Sequence, residues 1–387
     1  MKSKRNLYVL ALGVFGITTT EFGVIGVLPE IASAFHISIE KAGWLLSAFA
    51  LIVAVFGPFM LIALSSFKRK NLLISSLLIF AAANILSAYI GNFYALLIVR
   101  MLPAFFHPVY WSIVLSVAEK TSDPTDKSKA VSIIFSGLTL ATVLGVPLAT
   151  LMSDLFSWQS SFLLTAFINS IALIGVQFLL PAIETETETE TETSMMFDLK
   201  IFKNKNLWFG LFTAFFTIAA MYSTYGYMAD FLKNVTHMSG KQISIMLFMF
   251  GTVGILGNKL AGKYMSAFPF LTTCLFLTLL AVIHLLIYSY GSYFIPMVWI
   301  ITFWGLIHSG GFLISNINVT SSVSGSSEFI NSIFTSCGNF AVTAGTLLGG
   351  FWIAHYGIEN VTNSSIICII STIIIVLLKK KFGKYRF

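Results

Sequence analysis

With 387 residues, 57% of them hydrophobic and only 10% charged, and a mean hydropathy of +0.87, the chain has too little polar surface to fold as a water-soluble globule. Its net charge of +7 is scattered over short loops and forms no basic patch interleaved with aromatic residues, which excludes a nucleic-acid footprint. Cys274, Cys337 and Cys368 lie in apolar runs without paired spacing, so neither a disulfide framework nor a metal site is expected.

Apolar windows of about 20 residues predict helices at 7–29, 42–64, 71–91, 95–118, 128–153 and 158–180, and again at 206–231, 240–262, 268–289, 292–317, 328–354 and 361–379. The expected fold is an all-α membrane protein whose twelve crossings form two six-helix bundles, 1–181 and 206–387, joined by a cytoplasmic linker at 182–205. Ala32-Ser33-Ala34 imitates a leader-cleavage site after the first run. That run is long for a leader and carries Glu21, so it reads as a retained span.

Placing both termini in the cytoplasm puts 19 of the 23 Lys and Arg residues on that side, leaving Lys41, Lys233 and Lys241 outside and Arg100 within a helix. The linker opens with five Glu alternating with Thr from Glu184 to Thr193, a pattern with no apolar face to bury, which predicts solvated chain. The two halves echo each other. Gly145 and Gly345 are 200 residues apart, as are Gly57 and Gly257, and His107 and His308 are 201 apart, which suggests tandem repeats of parallel topology.

An ionised carboxylate in hydrocarbon costs about 2.5–3.5 kcal/mol on insertion scales, so Glu21 is expected to face the protein interior. At 1.5 Å per residue Glu21 lies roughly 10 Å from the outer end of its helix, and Arg100 roughly 7 Å in from the same side. Burial disfavours the carboxylate and an approaching guanidinium favours it, so a change in their separation would change proton affinity. The other reading is a permanent Glu21–Arg100 ion pair tying helices 1 and 4. His107, two turns after Arg100, shares its helix face and reads either as a proton carrier or as a neutral hydrogen-bonding group.

Four stretches carry a family resemblance: "TTTEFGVIGVLPEIASAFHIS" from Thr18, "GPFMLIALSSFKRKNLL" from Gly57, "IVRMLPAFFHPVYWSIVLSVA" from Ile98 and "GLTLATVLGVPLATLMSDLFSWQSSF" from Gly137. Together they resemble the twelve-helix drug:proton antiporter branch of the major facilitator superfamily, which includes bacterial sugar and arabinose efflux proteins. The second stretch lacks the acidic residue common in that family. The resemblance implies a monomeric carrier in the bacterial inner membrane that exports a small organic solute in exchange for protons, without cofactor. The solute would be a sugar or related compound; drugs, nucleosides or purines are the alternatives, as is uniport or symport on the same fold.

In that reading Glu21, Arg100 and His107 carry proton coupling. His107, Tyr110, Trp111, Tyr222, Tyr225 and Asn339 are substrate-contact candidates. Gly57, Lys68, Arg69, Gly137, Gly145, Pro147 and Gly345 serve conformational switching, for which the resemblance implies a helix 5 to helix 11 interface; the glycines of the two helices offer it small faces. Trp304 and His308 are added by the repeat offset. No His-Glu-x-x-His set, Gly-x-Ser-x-Gly elbow or phosphate-binding Gly loop is present, which argues against an enzyme.

Overall fold

The computed structural model describes residues 2–64, 66–120, 127–181, 199–322 and 327–382; the Thr-Glu repeat lies outside these. Among the described residues, twelve helical spans are long and apolar enough to cross a membrane. In the first half these are α1 (Arg5–Ala34), α2 (Ile39–Gly57), α3 (Arg69–Tyr89), α4 (Phe93–Ala118), α5 (Ala130–Leu155) and α6 (Trp158–Leu179). In the second they are α7 (Lys205–Asn234), α8 (Gly240–Ala267), α9 (Pro269–Tyr290), α10 (Phe294–Thr320), α11 (Ile330–Tyr356) and α12 (Ile358–Phe382). The part of the expected linker that is described is a 3₁₀ turn, Leu199–Lys203, leading into α7.

Several spans change winding where the sequence supplies the cause. α1 tightens to a 3₁₀ segment over Gly23–Val27, a stretch bracketed by two glycines and followed by Pro29 at the start of the next helical turn. α5 widens to a π segment over Ala141–Gly145, just before Pro147, which has no N–H to return to the preceding turn. α7 breaks at Gly226 and α10 at Ser309 and Gly310.

The expected tandem repeat is present in the packing itself. In the first half α5 lies against α1, with Gly137 on Ala11, Gly145 on Thr19 and Ala149 on Gly23. In the second half α11 lies against α7 in the same register, with Cys337 bonded to the carbonyl of Leu211, Gly345 on Ala219 and Gly349 on Ser223. Each residue of the second set stands 200 positions after its counterpart in the first.

This corrects the expected helix 5 to helix 11 interface. The glycines of α5 and α11 are used inside their own halves, because a small face permits close approach without specifying which neighbour fills it. The halves meet instead through α2 with α11 and α5 with α8. Thr343 donates to the carbonyl of Ser47 at 3.1 Å and Ser244 to the carbonyl of Pro147 at 2.8 Å, while Lys233 pairs with Glu30 at 2.7 Å. Among the described residues these bonds lie between mid-span and the face remote from the two termini, here called the distal face. One apolar cluster accordingly runs from Ile25, Leu28 and Leu46 across to Tyr227, Leu247 and Phe250. On the terminal side, the helical segment Lys127–Leu140, which leads into and forms the first part of α5, and Gly311–Thr320 of α10 pack within their own halves.

Candidate functional site

The ionisable groups of the first half converge where α1 changes winding. Glu21 is 5% exposed, and its Oε2 lies 3.1 Å from Nε2 of His107 on α4. The two groups touch without the alignment of a full hydrogen bond. The His107 ring packs edge-on to Phe49 with centroids 5.9 Å apart and lies 6.5 Å from Trp111. Pro108 and Gly57 close around it, since a Cβ on Gly57 would stand 3.2 Å from the Pro108 ring.

Arg100 does not pair with Glu21, contrary to the alternative reading of a permanent ion pair. Its guanidinium donates to the main-chain carbonyl of Thr20 at 2.8 Å and stacks over Phe162 at 5.1 Å, and its Nε has no partner. The reason lies in side-chain direction. Helical side chains lean toward their own N-terminus, and α1 and α4 run antiparallel. Glu21 therefore leans toward the terminal face, down to His107, while Arg100 leans distally. The two-turn spacing of Arg100 and His107 holds, but they address consecutive residues of α1 through different groups.

Thr20 is the hub that fixes Glu21. Asn84 of α3 and Asn169 of α6 direct their amide nitrogens at its hydroxyl, at 3.0 and 3.1 Å, and Asn169 reaches the carbonyl of Gly16 at 3.2 Å. Sequence reasoning missed both amides. The signal was available, because a buried amide in a membrane demands partners. Thr19, Thr20, Asn84, Arg100, Ser161 and Thr165 line a cavity of about one water's volume beside this hub.

The second half supplies rings in place of charges. Tyr222 and Tyr225 of α7 stand edge to face with centroids 5.9 Å apart, and Tyr222 meets Phe22, the neighbour of Glu21, at 5.8 Å across the halves. Tyr225 stacks on Phe250 at 5.0 Å and packs against His308 at 4.9 Å.

Other expected contacts fall elsewhere. Tyr110 is fully buried, bonded to the carbonyl of Leu10 at 3.2 Å and packed on Gly13, so it seals α4 to α1 and its assignment as a substrate contact is corrected. Half-buried Trp111 packs on Phe135. Asn339 donates to Thr335 one turn back in its own helix at 3.0 Å. Lys68 is exposed, Arg69 donates to Ser116 of α4 at 2.8 Å, and Lys70 caps the end of α6 on the carbonyls of Gln177 and Leu180.

Comparisons with known proteins agree with this architecture. A family profile described as Major Facilitator Superfamily matches residues 10–346. A "Probable sugar efflux transporter" of Pasteurella multocida (strain Pm70) is 27% identical over 96% of this chain and 92% of its own. The "Inner membrane transport protein YdhP" of Escherichia coli (strain K12) is 34% identical over 74% of this chain and 73% of its own. Among solved structures, a bacterial homolog of the human lysosomal transporter Spinster, inward-facing and unoccupied, superposes with a TM-score of 0.78 at 16% identity, covering 99% of this chain and 98% of that one. The nucleoside transporter NupG superposes with a TM-score of 0.76 at 13% identity, covering 99% and 100%. At such identities the structures speak to the fold alone. Profile, relatives and fold agree that this multi-pass membrane protein belongs to the Major Facilitator Superfamily of transporters.

Proposed function

We propose that the chain exports a small organic solute, a sugar or related compound, in exchange for protons, and that the Glu21–His107 contact is the proton site. The observation that carries this reading is a carboxylate and an imidazole buried against each other at 3.1 Å, one residue from the Phe22–Tyr222 contact between the halves. A proton added to that pair changes its charge in a low-dielectric setting, where charge is strongly coupled to hydration and geometry. Rocking of the halves at Phe22–Tyr222 would then alter proton affinity. By linkage, protonation would bias which side is open.

In this reading Arg100 holds α1 in place at Thr20, and Trp111, Tyr222, Tyr225 and Asn339 are offered to the solute. Gly57, Gly137, Gly145, Pro147 and Gly345, with Lys68 and Arg69, permit or brace the rocking. The terminal face is cytoplasmic, in keeping with the basic-residue bias and the inner-membrane name of one relative. The distal contacts between the halves then form a seal, and the carrier is closed to the outside. Inward proton movement supplies about 2.3 kcal/mol per charge per 100 mV. The name of the Pasteurella relative favours a sugar as cargo.

The test is transport in proteoliposomes containing an internal pH dye. Solute uptake into inside-out vesicles must move protons in the opposite direction. Solute flux without proton flux, or with proton flux in the same direction, overturns antiport.

A further inference from the structure

Behind Tyr222 and Tyr225 lies a group of side chains that the proton site does not use. Trp304 and His308 of α10 and His284 of α9 are 1%, 6% and 0% exposed. The Trp304 ring lies 5.6 Å from His284, 6.0 Å from His308 and 5.4 Å from Phe250. Nε1 of Trp304, Nδ1 of His308 and Nε2 of His284 are all buried, and none has a hydrogen-bond partner. The His284 tautomer is set by its other nitrogen, since Nδ1 sits 2.8 Å from the carbonyl of Leu280 and a carbonyl can only accept. Nε2 is therefore an acceptor. The indole N–H is only a donor.

The repeat explains why Nε2 of His284 stands unpartnered. It occupies the position of Asn84, 200 residues on, but where Asn84 finds the hydroxyl of Thr20, position 220 is Ala. Buried polar atoms are nearly always paired with protein, water or ligand. Here a donor, an acceptor and a third ring nitrogen are left open inside one aromatic cluster, with the Glu21 carboxylate beyond it, next to the Phe22 ring that meets Tyr222. Such a surface has ring faces for C–H groups and free hydrogen-bonding atoms for hydroxyls, and its indole N–H needs an acceptor, which an apolar cation lacks.

We propose that His308, Trp304 and His284, with Tyr222, Tyr225 and Phe250, form a binding subsite for a neutral hydroxylated solute, whose hydroxyl groups satisfy the open ring nitrogens. The subsite extends the solute path of the proposed function into the interior of the second half. It rests on that reading only for the access route, since binding at equilibrium needs no proton coupling.

The test uses the full chain purified in detergent, with the thermal unfolding midpoint followed against the concentration of D-glucose, L-arabinose, sorbitol and, as an apolar cation, tetraphenylphosphonium. At least one of the three hydroxylated probes is expected to raise the midpoint saturably. Trp304→Phe and His308→Phe each keep an aromatic ring and remove an open nitrogen. Both should keep or raise the midpoint without solute and weaken the apparent affinity about tenfold or more. Two variants are used so that a folding failure in one leaves the other to decide.

The proposal is overturned if none of the three hydroxylated probes binds, or if the folded variants bind as the wild type does. It is equally overturned if both variants lose stability while their affinity is unchanged, the result expected of nitrogens that hold structural water. Tetraphenylphosphonium binding that falls in the same two variants would assign the cluster to cations and also overturn it. Binding here is read in detergent without a proton gradient, whereas antiport is read as proton flux in proteoliposomes, so a failure of proton coupling and a failure of this subsite give different results.

Discussion

Glu21 and His107 face each other at 3.1 Å from α1 and α4, while Arg100, on the same face of α4 as His107, is spent on the carbonyl of Thr20. Of these three buried groups, one holds α1 and the other two make up the proposed proton site. Glu21→Gln is expected to fold with an unfolding midpoint near that of the wild type and to lose proton-driven export about tenfold or more, because it no longer distinguishes the access states by proton affinity. Counterflow without a gradient should persist. Full proton-driven export by this variant would remove Glu21 from the mechanism.

His107→Gln and Arg100→Ala should separate by phenotype. His107→Gln is expected to change the pH profile of transport while altering the unfolding midpoint little. Arg100→Ala removes a buried charged hydrogen bond to Thr20, of a kind that contributes about 1.5–3 kcal/mol, and is expected to lower the midpoint while leaving the shape of the pH profile intact. Thermal unfolding and a pH series on the same preparations check both.

Glycine substitutions should rank by what the new methyl group meets. At Gly137 and Gly345 a Cβ collides with main-chain carbonyls of Ala11 and Ala219, which cannot move without the helix. At Gly145 it collides with the side chain of Thr19, which can turn aside at some expense. Gly137→Ala and Gly345→Ala are each expected to destabilise by about 1–3 kcal/mol, and Gly145→Ala by less. Denaturation of the three variants in one detergent gives the order.

The Lys233–Glu30 pair joins the halves at the distal face, with side chains 41% and 30% exposed. Exposed pairs of this kind contribute about 0–1 kcal/mol. Lys233→Ala should therefore raise the distal-open population only a few-fold, whereas Lys233→Glu adds repulsion and should raise it further. A cysteine placed at Ser47, buried among the contacts between the halves, would report both through its rate of labelling by a membrane-impermeant thiol reagent. Equal labelling in all three backgrounds would show that the seal is held by its apolar contacts.

The twelve spans were legible because a bilayer demands about 20 apolar residues per crossing, and the repeat was legible because its offset survives in Gly145 and Gly345. The partners were not. Periodicity shows that Glu21 and Arg100 lie at similar depth, yet side-chain lean in antiparallel helices carries them apart. Small faces on α5 and α11 announce close packing without naming the neighbour. Asn84 and Asn169 passed unnoticed because one amide barely lowers the mean hydropathy of a window, although each helps to fix Thr20. Tyr110 looked like a cavity residue from its polar tip and is instead a strut between α4 and α1.

The packing register repeats after 200 residues, but the chemistry laid over it does not: position 221, the counterpart of Glu21, is Met, and position 300, the counterpart of Arg100, is Ile. A duplicated scaffold whose copies diverged in this way can revise what one copy recognises while the other keeps its buried carboxylate and imidazole. Under the proposed function, homologues of this carrier should therefore change cargo mainly through residues of α7 to α10, leaving Glu21 and His107 in place.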